Sequence, residues 1–536
     1  TVYSQKPMDS DGQFAFSRAS EASRVNSAGL IEKVRTNLFT ESNNFSDSDW
    51  DIKAGTFTQG VEDPNGGNDA WSWTSQNTDP FLYQNGKSVS GVGTLSIWVK
   101  GVGSTIGKNF ELRVASVPYK NVVLTGEWQR VEHFNNTAGG TWVGFEYGNP
   151  AVLGDVVHIY QAQYEYGTVA TDYIATTSVA VSEGSVANMP RLDYSGGATC
   201  PSLLLEPSRT NLVTQSEYFG ASTWTERSLS VTDNYATSPD GSVNASRILA
   251  SGSDAALYQS ISVTNGTTYT MSVWLKVASG TLDTTISFSS TGFPDGEGDG
   301  GKYKDITVTD TWQRFSLTST ADQTVSTITA PIGGFSGFNS GDDVLMWGAQ
   351  CEVGNYATSL ISTYGTAATR ARDYTYFAQS PTANFGTGDF SLFLDVEDVK
   401  ERSDSVSSVG LIGNRQSGVW WRFYHTSSTN KAYFEVASTA GGYAIIQYST
   451  YTNLASGRHK IGVSRSGTEL NIYLDGVSVV STTATSYLQN FDGTNTKIEL
   501  NAWNTSSAIT NAKWHQCLIF KGKALSNDEL ATITTL

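Results

Sequence analysis

The sequence predicts an all-β chain of three sandwiches in series, the first two being copies of one another. Three observations carry this reading. Charged residues make up only 16% of the chain and aromatics 12%, with abundant Gly, Ser and Thr, a composition that favours β-sandwiches over helical bundles. Apolar and polar residues alternate with period two along many segments. One stretch also occurs twice: RTNLFTESNNFSDSDW at 35–50 and RTNLVTQSEYFGASTW at 209–224 share nine of sixteen positions without a gap.

The echo continues in order. SIWVK (96–100) answers SVWLK (272–276), EWQRV (127–131) answers TWQRF (311–315), and YQAQYEYGTVATDYI (160–174) answers WGAQCEVGNYATSLI (347–361). The offset grows from 174 to 176, 184 and 187, so insertions have accumulated between fixed landmarks. A unit of about 150 residues is too long for a solenoid repeat and suits a whole domain. The organisation that follows is a leader at 1–34, repeat one at 35–178, a second leader at 179–208, repeat two at 209–366, and a different C-terminal domain at 370–536. Each leader is expected to pack on the repeat it precedes as an extra strand or clamp.

Within repeat two, Tyr269, Met271, Val273 and Leu275 fall on one strand face, and Thr270, Ser272, Trp274 and Lys276 on the other. Repeat one sets Leu95, Ile97 and Val99 against Ser96, Trp98 and Lys100. One face is core; the other carries a tryptophan that is either a solvent-facing platform or a seam with a neighbouring domain. In the last domain, Phe390, Leu392, Leu394 and Val396 alternate with Ser391, Phe393 and Asp395, and Leu470, Ile472 and Leu474 run into an Asp475–Gly476 hairpin turn. Ser526 and Glu529 form a capping-box pattern that starts one short helix.

A net charge of −17 without long runs of one sign repels phosphate backbones and anionic bilayers, which argues against nucleic acid as a partner. No stretch approaches the roughly 18 apolar residues of a membrane span, and no basic, then apolar, N-terminal signal is present, so membrane insertion is not expected. Cys200, Cys351 and Cys517 are too few and too scattered for a disulfide framework. Such a fold can be assembled in a reducing cytoplasm.

The repeats resemble the carbohydrate-binding-module-like jelly rolls of many bacteriophage virion proteins. The pattern is RTNL followed by a serine, a phenylalanine and a tryptophan, then SVWLK, TWQRF, and GAQ-x-E-x-G with a trailing threonine. The leader segments SRASEASRVNSAGLIE and PRLDYSGGATCPSLLLEPSRTNL resemble connecting segments of such proteins. The C-terminal domain, through GRHKIGVSRSGTELNIYLDGVSVV at 457–480 and KALSNDELATI at 523–533, is similar to the laminin-G/concanavalin-like lectin sandwich. The resemblance implies a non-enzymatic protein displayed on the virion surface and assembled in the host cytoplasm, a tail-fibre, head-fibre or decoration component. It would adhere to host-surface glycans through several weak sites on a homo-oligomer, with a trimer favoured, beside other virion proteins. A purely structural decoration protein and a polysaccharide depolymerase are the alternatives. Repeat one departs from the pattern, with Pro64-Asn65-Gly66 where repeat two has Pro239-Asp240-Gly241.

Catalytic chemistry finds little support. The five histidines show no metal spacing, and no G-x-S-x-G elbow exists. Asp395 and Glu397 share a strand parity, as paired glycosidase carboxylates would, but Asp398 and Glu401 run on into what reads as a solvated surface turn. Calcium is a possible cofactor at Asp295, Glu297 and Asp299, alternating oxygens followed by Gly300, although Ile306 stands where a calcium loop closes with a bidentate Glu. The Gln163/Glu165 and Gln350/Glu352 pairs could accept sugar hydroxyls or satisfy loop amides; their presence in both copies favours the second role. Sugar recognition needs flat apolar rings beside planar polar groups. In the last domain Trp420, Trp421, Arg422, Tyr424, Tyr443, Asn501, Trp503 and Asn504 supply them, with neighbouring Trp420 and Trp421 on opposite faces. Trp98 and Trp274 are the corresponding candidates in the repeats.

Overall fold

In the computed structural model the described residues are 14–87, 91–115, 117–136, 139–148, 150–288, 291–335, 337–378, 389–400, 409–413, 420–426, 431–437, 457–483, 497–500 and 511–536. Strands dominate, every pairing between named strands is antiparallel, and the one α-helix among the described residues spans Asn527–Thr534. No helix among them is long and apolar enough to cross a membrane.

Each repeat is a jelly-roll sandwich of two five-stranded sheets with the same strand order in both copies. In repeat one, one sheet runs Gln129–Asn135, Gly93–Val102, Val156–Tyr166, Ala70–Ser75, Gly55–Val61. Its counterpart runs Gln313–Thr320, Thr268–Lys276, Asp343–Val353, Ala245–Ala250, Leu229–Ala236. The alternating apolar residues line each core: Leu95, Ile97 and Val99 in one, and Tyr269, Met271, Val273 and Leu275 in the other, are all buried. A fully buried side chain of this size stabilises by about 1.5–3 kcal/mol, so a core on this scale holds each sandwich together.

The duplication extends to hydrogen bonds. Asn37 donates to the carbonyls of Ala162 and Ile174, and Asn211 to those of Ala349 and Ile361. The central strand of each copy bulges at one left-handed residue, Gln161 at φ 53° and Gly348 at φ 66°. At Gly348 a Cβ would sit 2.8 Å from the Trp274 ring, a clash that only glycine avoids.

The third sandwich packs a six-stranded sheet on a seven-stranded one around Leu392, Leu394, Ile461, Val463, Phe423 and Leu500. The hairpin at Asp475–Gly476 joins Glu469–Leu474 to Val477–Thr483, both turn residues having positive φ. Ser526 Oγ accepts from the Glu529 amide at 3.2 Å while Glu529 accepts from the Ser526 amide at 2.8 Å, the expected capping box. The strand Phe390–Lys400 carries Asp398 within it, which corrects the expected surface turn at that residue; Glu401 lies outside the described residues.

The leaders do not simply clamp the repeats they precede. Phe14–Ser17 pairs with Tyr374–Ala378 at the edge of the six-stranded sheet, and Arg191–Asp193 with Ser202–Leu205 extends the seven-stranded sheet at Asn511–Lys521. Phe16, Leu203 and Leu205 enter the core of that sandwich. Left alone, one edge of each sheet would offer a row of unpaired backbone groups, and the leader strands pair with it. Only Val181–Glu183 of the second leader returns to repeat one, at Arg35–Asn37.

Where these segments cross, five charged side chains are buried together. Asp373 accepts from Arg18 at 3.0 Å and from Arg191; Glu206 accepts from Arg191 and Arg370, each at 2.7 Å. Burial would raise the Glu206 carboxyl, but the two guanidiniums hold it far below its usual range. Such a cluster is tolerated in the interior because every charge has a partner.

Candidate functional site

The outer face of the six-stranded sheet, away from its core, gathers the polar and aromatic side chains that sequence parity placed there. Phe423 and Phe434 point into the core, so Arg422, Tyr424 and Tyr433 lie on the opposite face, where they are themselves buried, as is Glu499, while Tyr374 and Tyr376 are half-buried. Tyr424 stacks on Tyr433 with ring centroids 5.0 Å apart, and the Arg422 guanidinium lies 4.3 Å from the Tyr424 ring centre. Across the sheet, Ile498 and Leu500 face inward and Glu499 outward. The register is Tyr376–Glu499–Gly413–Arg422–Glu435, so a glycine separates the carboxylate strand from the guanidinium strand. Tyr374 donates its hydroxyl to Glu499 at 2.6 Å and contacts Tyr376 at 5.2 Å. Burial, and then the Glu499 carboxylate, push the Tyr374 phenol well up, so it stays a neutral donor.

This layer includes two of the residues singled out from sequence, Arg422 and Tyr424. It also includes Glu499, Tyr374 and Tyr376, which were missed. Trp420 and Trp421 lie on the same strand by backbone pairing, but their side chains, and Tyr443, Asn501, Trp503 and Asn504 entirely, lie outside the described residues.

The tryptophans of the repeats are seams rather than open platforms in the one case where their surroundings are fixed. Trp274 meets Trp347 edge-on at 5.4 Å and carries the Arg314 guanidinium 4.2 Å above its ring. Arg314 in turn donates to the Thr358 carbonyl at 2.6 Å and Ser272 Oγ at 2.9 Å. Ile31 of the first leader packs into the same cluster, and Lys33 Nζ sits 5.3 Å from the Trp347 ring centre. Trp98 is half-buried and in register between Arg130 and Tyr160, the equivalent neighbours.

The Gln–Glu pairs are structural in both copies. Gln350 donates to Glu352 at 2.7 Å, accepts from the Ile361 amide at 2.8 Å, and Glu352 takes the Thr358 amide and hydroxyl. Gln163 and Glu165 repeat this with Ile174 and Thr171. These contacts satisfy a buried loop and leave little for a sugar.

The acidic loop of repeat two does not converge on a cation. Asp295 pairs with Lys302, while Asp299 pairs with Lys304 at 3.4 Å and accepts from the Thr318 amide. Asp295 is 90% exposed, and among the described residues no three His, Cys, Asp or Glu side chains are placed to share a metal ion. The carboxylates considered for catalysis are likewise engaged. Arg458 grips Asp395 with two bonds of 2.7 and 2.6 Å, and Glu397 accepts from His515 at 2.7 Å with Lys513 at 3.6 Å. Burial works to raise the Glu397 carboxyl, yet His515 and Lys513 leave it below its usual range, the opposite of what a general acid needs.

No protein-family model matches the chain, and no curated protein matches it. Among solved structures it is similar to botulinum neurotoxin type C, described in connection with two ganglioside molecules, at 14% identity over 30% of this chain, with a TM-score of 0.24. The alignment spans 39% of that chain. The tandem CBM22-1–CBM22-2 domain of Paenibacillus barcinonensis Xyn10C matches at 10% identity over 65% of this chain and 99% of that one, TM-score 0.21. Mouse laminin α1 domains LG4-5 match at 10% over 59% and 94%, TM-score 0.18. Likeness of this degree concerns β-sandwich architecture alone.

Proposed function

We propose that the chain is a non-enzymatic adhesive protein that holds glycans on the outer face of its last sandwich, as a fibre or decoration component of a phage particle. The observation that carries the glycan reading is the Tyr376–Glu499–Gly413–Arg422 row. It sets the half-buried rings of Tyr374 and Tyr376 beside a buried carboxylate and guanidinium, the pairing that recognises the apolar face and hydroxyl edge of a pyranose. The phage setting rests on the leader and repeat motifs of the sequence. A single site of this kind would bind weakly, and a homo-oligomer, with a trimer favoured, would convert several such sites into useful avidity beside other virion proteins.

A purely structural role is favoured for repeat two by the partial cover of its Trp274–Trp347 cluster by Ile31 and Lys33 of the chain's own leader. A glycan array probed with the intact chain tests the adhesive reading. Binding that falls at least tenfold in Tyr376→Ala and Glu499→Gln supports it, whereas a blank array returns the whole chain to the structural reading. Release of reducing ends from host polysaccharide would instead establish the depolymerase alternative.

A further inference from the structure

The two repeats and the first leader enclose a cleft of about 720 Å³, within the roughly 300–1,000 Å³ of small-molecule sites. Direct packing between the repeats preforms it. Gly91, at φ 91°, passes so close to repeat two that a Cβ would stand 1.7 Å from the Tyr364 carbonyl oxygen. Phe134 meets Tyr218 edge-on at 5.1 Å, and Asn136 donates to the Tyr218 hydroxyl at 3.0 Å. Asn234 donates to the Thr168 carbonyl at 2.9 Å, and Tyr166 stacks on Tyr364 at 5.9 Å. Both tyrosines line the cleft.

Its wall chemistry is amphipathic. Leu30 and Val243 line it while 37% and 52% exposed, an apolar patch on the leader and repeat-two side. Repeat one contributes the exposed carboxylates Glu132 and Asp172; Glu132 also accepts from the Ala170 amide at 3.0 Å. Of the other charged groups of the wall, Lys33 is engaged by Glu217 and Asp240, Glu32 by Arg24, and Glu165 by Gln163 and Thr171, while Arg35 offsets part of the burial cost of Glu165. With Asp240 also in the wall, carboxylates outnumber the two cations, Lys33 and Arg35. An occupant must therefore present an apolar face to Leu30 and Val243 and hydrogen-bond donors to Glu132 and Asp172, and an anionic one would meet those carboxylates at close range. We infer that this inter-repeat cleft is a second carbohydrate subsite, selective for neutral and amino sugars over acidic ones, with the repeat pair as one binding unit. This rests on the adhesive reading but places a ligand on residues other than those of the sheet face that carries it.

Titration calorimetry of the full chain with cellotetraose, a β-1,4-glucosamine tetramer and tetragalacturonate tests it. The first two should bind and the acid at least tenfold more weakly. Val243→Asp, at an exposed position, should weaken both at least tenfold, and Asp172→Asn should cost the glucosamine tetramer more than cellotetraose. Binding untouched by these changes but abolished by Tyr376→Ala would overturn the cleft and leave adhesion standing. So would blank titrations from a chain that binds a glycan array. A blank array together with blank titrations would remove both.

Discussion

Repeat one and repeat two share a scaffold down to individual amide contacts, yet they differ where the loop after the first strand meets a later turn, 237–244 in repeat two. Repeat two places Glu217 and Asp240 there, both buried, and Lys33 of the first leader reaches between them at 2.5 and 2.7 Å. Repeat one has Asn43 and Asn65 at those positions. Asn43 closes the local structure itself, accepting from the Gln161 amide at 2.9 Å and donating to the Asp69 carbonyl at 3.2 Å. One copy is self-sufficient at this turn, whereas the other needs a cation from 184 residues away. Duplication preserved what a jelly roll needs internally and diverged where the copy docks onto the rest of the chain.

The largest expected effect comes from the charge cluster that ties both leaders to the last sandwich. Asp373→Ala leaves Arg18 and Arg191 buried without that carboxylate, and should cost about 3–5 kcal/mol. Denaturant unfolding followed by tryptophan fluorescence should show the last sandwich failing first, with repeat one unaffected.

Next is Lys33→Met, which strands two carboxylates and should cost about 3 kcal/mol in repeat two alone. Restoring the repeat-one pattern by adding Glu217→Asn and Asp240→Asn should recover most of it. The pH profile gives the same test. Burial would raise the Asp240 carboxyl, but Lys33 beside it brings it to about 2, below its ordinary 3.8. A depressed acid contributes stability that is present above its unfolded value and fades as pH falls toward its folded one. Wild-type repeat two should therefore lose stability between about pH 4 and pH 2, and Lys33→Met should remove that slope.

A smaller effect, equal in the two copies, is expected for Asn37→Ala and Asn211→Ala. Each removes donors to two buried carbonyls and should cost about 2 kcal/mol, measured by thermal unfolding. Unequal costs would mean the scaffolds are less alike than their contacts. Smallest is Asp295→Ala with Asp299→Ala, which breaks exposed pairs worth about 0–1 kcal/mol. A chelator should leave the melting temperature of either protein unchanged; a clear drop in wild type alone would restore calcium to that loop.

What the sequence made legible was local. Alternation at Tyr269–Leu275 and Phe390–Val396 gave the strands and their core faces, the internal echo gave the duplication, and Ser526 with Glu529 gave the helix. Strand parity names a face but not a partner, which is why the leaders were misjudged: Thr375 bonds to Ala15 across 360 residues, and nothing in either segment announces that pairing. The same limit left Trp274 undecided between platform and seam, because its neighbours Trp347 and Arg314 come from other strands and Ile31 of the first leader packs into the same cluster. At the sheet face, Arg422 and Tyr424 were visible on one strand. Glu499 was readable as the polar residue between Ile498 and Leu500, but only sheet order brings it opposite Gly413, and Tyr374 and Tyr376 stood just past the end of repeat two.

The most direct test of adhesion without turnover is to immobilise host-surface polysaccharide and follow both capture of the intact chain and reducing ends released over time. Retention that Tyr376→Ala abolishes, with no ends released, is the predicted result. Steady release of ends by the wild-type chain, or retention that Tyr376→Ala leaves untouched, would contradict it.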